Sequence, residues 1–105
     1  MRVVLFELRD GMEKGKIESL LQAARDEIPG LVEVHFGANK LQSTKFDSPS
    51  KRRYTHVLVS RHEQEKSLEE YLSHPRYREL TQYIYSFSAA QATAVCFYAN
   101  GRPHL

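Results

Sequence analysis

Three short stretches carry the residue types that acid–base or ligand chemistry draws on. YTHVLVS, from Tyr54 to Ser60, sets His56 between Tyr54 and Leu58 in an alternating run. EYLSHPRY, from Glu70 to Tyr77, gathers Tyr71, His74 and Tyr77 around Pro75. AVCFY, from Ala94 to Tyr98, holds Cys96, the one cysteine of the chain. Histidine is suited to general-base work at neutral pH because its ordinary pKa is about 6.5. Tyrosine, at about 10, serves first as a hydrogen-bond donor. His56 acting with Tyr71 or Tyr77 is therefore the pairing that could take a proton and stabilise a developing enolate. The bland alternative makes His56 a core histidine bonded to a backbone group or a tyrosine hydroxyl. Tyr71 and Tyr77 are then stripe residues whose hydroxyls still need partners if buried. His74 precedes a proline, is biased away from helical geometry, and reads as a cap of the break. Cys96 lies in an apolar run and reads as a small buried hydrophobe; alone, it forms no intrachain disulfide.

Other chemistry finds little support. The histidines His35, His56, His62, His74 and His104 show no H-x-x-x-H spacing, so no metal site is expected. No Gly-rich phosphate loop, nucleophile elbow or paired-carboxylate arrangement is present, and no cofactor is expected. The net charge of +2 argues against a nucleic-acid or anionic-membrane partner. A local exception is the stretch from Ala38 to Arg53, where Lys40, Lys45, Lys51, Arg52 and Arg53 face only Asp47. It reads as a solvated loop, with an anionic ligand as the alternative. No run approaches the roughly 18 apolar residues of a membrane helix. The opening MRVVLFELRD is too short for a signal-peptide core, and a cytoplasmic protein is expected.

The elements that must position these residues follow from periodicity. Val3 to Leu8 is short, β-branched and aromatic, and predicts a strand. Ile17, Leu20, Leu21, Ala24 and Ile28 fall at helical spacing and predict a helix over Glu13 to Glu27, stopped by Pro29-Gly30. Leu31 to Phe36 and Tyr54 to Ser60 predict strands. A second helix begins between Glu63 and Ser67, with Ser67 and Glu70 spaced as a capping box. Pro75 breaks it and starts a further helical piece with Tyr77, Leu80 and Ile84 as its stripe. Ala89 to Tyr98 predicts a last strand. The order βαββαβ over residues 1–105 is a single α+β domain, the ferredoxin-like split βαβ with four antiparallel strands.

Two helices cover one face of such a sheet. Yet the first strand is apolar on both: Val3 and Leu5 on one, Val4, Phe6 and Leu8 on the other. An open apolar face of several hundred square ångströms is costly, and covering it is worth on the order of 10 kcal/mol before association costs. A second copy related by a two-fold axis is the simplest cover, so a homodimer is expected. Thr55, Val57 and Val59 look suited to pack beneath the helices. That would turn Tyr54, His56 and Leu58 towards the space between the two sheets.

The motifs IPGLVEVHFGAN and YTHVLVSRHEQEKSLEEYLSHPRY, after a VVLF first strand, resemble those of the stress-responsive A/B barrel family, the dimeric α+β barrel (Dabb) proteins. The likeness runs over nearly the whole chain, with an IPG helix end, a YTH third strand and a Y-x-x-HP break in order. It implies a ferredoxin-like protomer paired face to face into a barrel with its helices outside. One plant branch, similar to olivetolic acid cyclase, is implied to use the barrel pocket for an aldol cyclisation. By that resemblance His56 matches a pocket histidine and Tyr71 a substrate-contacting tyrosine. The branch's catalytic histidine falls at Tyr77, its first-strand histidine at Arg2, and its orienting aspartate at about Phe97. Base and orienter are both replaced, so the same cyclisation is not expected here.

These readings combine into one expectation. A homodimer binds a small apolar or aromatic molecule in the barrel interior, lined by Val4, Phe6, Tyr54, His56, Leu58, Tyr71 and Tyr77, with Phe97 near one end. The alternative is a cofactor-free cyclase, isomerase or monooxygenase-like enzyme using His56 with Tyr71 or Tyr77. A third is a structural, stress-protective assembly protein without ligand.

Overall fold

The structure is a computed structural model, and it describes residues 1–39 and 54–97. The basic stretch Lys40 to Arg53 and the tail from Tyr98 lie outside the described residues. The elements run β1 (Arg2–Phe6), α1 (Lys14–Glu27), β2 (Leu31–Ala38), β3 (His56–His62), α2 (Glu65–Ser73), α3 (Pro75–Tyr85) and β4 (Thr93–Cys96). The sheet order is β2-β3-β1-β4, with each neighbouring pair antiparallel. Each crossover helix thus skips one strand, which is the split βαβ arrangement. The α+β class and the ferredoxin-like order are as expected.

Local chemistry explains the boundaries. Gly30 takes φ +74 after α1, a conformation that glycine adopts without Cβ strain. α2 stops at Ser73, and Pro75 opens α3 at a position where its missing N–H costs nothing. Between them, His74 caps α3: its Nδ1 accepts the Arg76 N–H at 3.1 Å. This agrees with the cap read from the sequence. The capping box does not form. α2 begins at Glu65, within the expected range, but Gln64 is its N-cap, three residues before Ser67, and Ser67 lies buried within the helix. A Cβ at Gly30 would run into the Ser67 side chain, so Ser67 is small because α2 passes tightly over the α1–β2 turn.

Several strand limits differ from expectation. β1 ends at Phe6, and Leu8 meets Ser88 only through an isolated bridge. β3 starts at His56 and runs to His62, so both ends lie two residues later than expected. β4 shortens to Thr93–Cys96. Cys96, expected to be buried, is exposed on this edge strand.

The larger correction concerns which face meets the helices. Val4, Phe6, Leu8, Val34 and Leu58 are buried in one cluster with Ile17 and Leu21 of α1 and Leu80 and Ile84 of α3. Cross-strand register puts Val4 opposite Leu58 and Phe6 opposite His56. The His56–Leu58 side of β3 therefore lies under the helices. Val3, Leu5, Val57 and Val59 occupy the other face and stay half-buried, with Val95 beside Val3 at 51% exposed. Size decides the matter. Helix on sheet leaves a deep gap that Phe6, Leu58 and Leu80 fill, whereas β-branched valines make a flat, shallow surface. A second cluster of Ala24, Ile28, Tyr71 and Tyr77 closes the other end of the helix layer.

Candidate functional site

α1 does not lie flush along β2. Between them is a cleft of about 600 Å³. Met12, Ile17, Leu21 and Phe36 give it an apolar floor, and Lys14, Glu18, Gln22 and Arg25 project from α1 around it. Gly37 and Ala38 form its β2 side, where small residues leave room: a Cβ at Gly37 would meet no atom within 4 Å. His56 closes one end. Its ring stacks on Phe36, with centroids 5.3 Å apart and planes 11° apart. The Phe36 ring in turn meets Phe6 edge-on at 6.2 Å. The imidazole is thereby held at the boundary between core and cleft.

Backbone and hydroxyl groups fix the ring's other edge. His56 Nδ1 lies 2.8 Å from Thr55 Oγ1. Thr55 Oγ1 also accepts the Leu8 N–H at 2.8 Å and lies 3.3 Å from the Phe6 carbonyl oxygen. His56 Nε2 has no hydrogen-bond partner among the described residues. Burial pushes the His56 pKa below its usual value, with Asp10 pulling weakly upward. The ring is therefore neutral at pH 7. Arg25 is partly committed, since its Nη2 donates to the Val34 carbonyl at 2.8 Å.

A second polar cluster lies further along the same sheet face. His62, six residues from His56 on β3 and so roughly 20 Å away, is fully buried. Its Nε2 lies 2.9 Å from Ser60 Oγ, while its Nδ1 has no partner. Burial, then the positive N-terminus and Arg2, push its pKa down to about 4. Its ring meets Tyr71 at 4.6 Å, and Tyr71 meets Tyr77 at 4.4 Å. Arg2 Nη1 donates to Tyr77 Oη at 3.0 Å. The Ser60 hydroxyl approaches Tyr71 Oη without closing a well-formed bond, so that oxygen is buried and unpartnered. Burial raises the Tyr71 pKa far above its usual value, and the phenol stays protonated.

The expected site residues are thus divided. His56 lines the cleft. Val4, Phe6 and Leu58 lie beneath the helices as core, because the helix-facing side of the sheet is theirs. Tyr71 and Tyr77 are packed with α1 in the closed cluster and do not reach His56. The Tyr54 hydroxyl lies 2.9 Å from Thr93 Oγ1 on β4. Phe97 is 43% exposed, its backbone paired with Met1. Arg2, which the resemblance aligns with the branch's first-strand histidine, touches Tyr77. Sequence reasoning missed Thr55, Phe36 and the α1 side of the cleft. The signal for Thr55 was its hydroxyl next to His56 at the start of a strand, where a side chain can bond locally. His62 was missed because the strand was ended at Ser60; extending the alternation by one step places it inward.

A family model for the stress responsive A/B barrel domain matches residues 1–97. No curated protein matches the chain. Among solved structures, a protein of Arabidopsis thaliana is similar at TM-score 0.66 and 21% identity, covering 94% of this chain and 93% of that one. A dimeric ferredoxin-like protein of unknown function from Thermobifida fusca is similar at TM-score 0.64 and 22% identity, over 90% and 84%. A hydroxynitrile lyase from Passiflora edulis is similar at TM-score 0.64 and 10% identity, over 94% and 93%.

Proposed function

The chain belongs to the stress responsive A/B barrel domain family, and from that premise we propose a homodimer that binds a small apolar or aromatic molecule, one per protomer. The binding place is the α1/β2 cleft rather than the space between the sheets. The observation that carries this reading is the cleft itself: about 600 Å³, apolar at its floor, with a neutral histidine stacked at one end. That combination suits a small ligand whose apolar body meets the floor and whose polar edge meets His56 and the charged rim of α1. The Thermobifida fusca relative is described as dimeric. In this chain, Val3, Leu5, Val57, Val59 and Val95 supply a flat apolar face of the kind a second sheet covers. The same fold serves a lyase in Passiflora edulis, but fold likeness alone carries no activity across.

Two measurements test the reading. Light scattering is expected to give twice the monomer mass, and Val59→Lys to halve it with helix content retained. A monomeric wild type defeats the dimer. Amide shifts on titration with 2-acetylnaphthalene are expected at Leu21, Phe36, Gly37 and Ala38. Shifts confined to the valine face would return the ligand to the barrel interior.

A further inference from the structure

We infer that the open edge of β2 inside the cleft is a strand-addition site, taking a short extended peptide with a large apolar side chain opposite Phe36. This rests on the cleft reading and sharpens it into a ligand class.

Backbone direction carries the argument. β2 is an edge strand, paired with β3 alone. In an antiparallel ladder the N–H and C=O of successive residues point alternately towards the neighbouring strand and away from it. Two contacts fix which residues point away. Just past β2, the Asn39 N–H donates to the Thr55 carbonyl at 2.8 Å, so Asn39 points towards β3. Counting back, Gly37 and His35 do the same, whereas Ala38, Phe36 and Val34 point outward. Arg25 of α1 agrees: its Nη2 reaches the Val34 carbonyl at 2.8 Å. Arg25 thereby closes the open row at Val34, and the register shift between Leu31 and Glu33 interrupts it beyond. Phe36 and Ala38 remain, roughly 7 Å apart, and both line the cleft. Neither has an outward hydrogen bond among the described residues. A peptide running antiparallel to β2 satisfies three of these groups. Its residue opposite Phe36 exchanges two bonds with it, and the carbonyl two residues earlier accepts the Ala38 N–H. Phe36 stands opposite Leu58, so its side chain lies on the helix side of the sheet. The peptide residue facing Phe36 turns its side chain the same way, towards Ile17 and Leu21. The apolar floor thus selects a large apolar or aromatic residue at that position.

Three blocked peptides test this on the wild-type chain. The parent is acetyl-Thr-Phe-Thr-amide. The second carries N-methylphenylalanine at its centre and so lacks one N–H, and the third carries alanine there. In the free protein the Phe36 and Ala38 amides are expected to exchange hydrogen fast, and the Gly37 amide slowly. The parent peptide should slow exchange at Phe36 and Ala38. It should bind about tenfold more tightly than the N-methyl peptide, the worth of one hydrogen bond. It should also bind at least tenfold more tightly than the alanine peptide, which leaves the apolar floor unfilled. Equal affinity of the parent and N-methyl peptides overturns the inference. So do peptide-induced shifts confined to Thr93 to Cys96, the other sheet edge. Phe36 and Ala38 amides already protected in the free protein also overturn it, because the edge is then occupied by a second copy or by another part of the chain. If 2-acetylnaphthalene shifts the Gly37 and Ala38 amides and the parent peptide does not, the strand-addition inference fails and the cleft reading stands. If neither probe shifts them, both fall.

Discussion

His56 and His62 stand on one strand, point to one face of the sheet, and differ in almost everything else. His62 is roofed by Tyr71 of α2, with Tyr77 of α3 packed behind. Its polar atoms are either bonded inside the protein or stranded there. His56 has a phenylalanine on one face, a threonine at one nitrogen, and a cleft beside it. The same residue type becomes core at one end of the sheet and a candidate site at the other. What differs is the cover. α2 and α3 close over His62, whereas α1 stands off from β2 at His56. The resemblance-based positions Arg2, Tyr71 and Tyr77 converge at the closed end, so the cluster that looks most like chemistry in the sequence is the one with least access.

The largest expected effect lies in the closed cluster. Tyr71→Ala removes a fully buried ring from between His62 and Tyr77 and is expected to cost about 3–5 kcal/mol in urea unfolding. Tyr71→Phe removes only an unpartnered buried hydroxyl, so it is expected to be neutral or slightly stabilising. A large loss in Tyr71→Phe would show that Oη has a partner, and the contrast between the two ends would weaken. Next comes Gly30→Ala. The positive φ and the collision with Ser67 together are expected to cost on the order of 2 kcal/mol. Ser67→Gly in the same chain should recover part of it, because only the collision is relieved.

Acid distinguishes the two histidines further. The folded pKa of His62 is about 4, below its unfolded value near 6.5. The unfolded chain therefore binds this proton first as pH falls. Stability is full above about 6.5 and declines as pH drops towards 4. His62 is expected to account for on the order of 2 kcal/mol of that loss, after allowance for residual solvent screening. Urea midpoints for wild type and His62→Gln, measured from pH 7 to 4, should converge as pH falls. Parallel curves would mean that His62 does not carry the acid response.

Much of the scaffold was legible in the chain. Helical spacing from Ile17 to Ile28 and the proline after His74 fixed α1 and the α2–α3 break to within a residue or two. The ferredoxin-like order followed from counting elements. Period-two alternation in β1 and β3 also divided their residues correctly into two sets. It could not say which set faces the helices, because both sets are apolar and alternation carries no sign. Assigning the valines to the helix side inverted the site: Val4, Phe6 and Leu58 moved into the core, and His56 moved from between the sheets to beneath α1. The cleft was not legible for a different reason. It depends on the standoff of α1 from an edge strand, a distance set by Phe36, Gly37 and Ala38 against Met12, Ile17 and Leu21. No periodicity within either element reports that distance.

The smallest expected effect on stability, and the sharpest on binding, belongs to His56. Its ring is half-buried, its stacking partner Phe36 remains packed on Phe6, and its one bond is to a hydroxyl that keeps the Leu8 amide. His56→Ala therefore leaves no buried orphan, and its cost is expected to stay below about 1 kcal/mol. Affinity for 2-acetylnaphthalene should fall severalfold by calorimetry, since the ring that lines one end of the cleft is lost. His62→Ala is the matched control: it should destabilise by several-fold more and leave the probe's affinity unchanged. If His56→Ala instead unfolds the protein and spares binding in whatever remains folded, the two histidines have exchanged roles, and His56 is core.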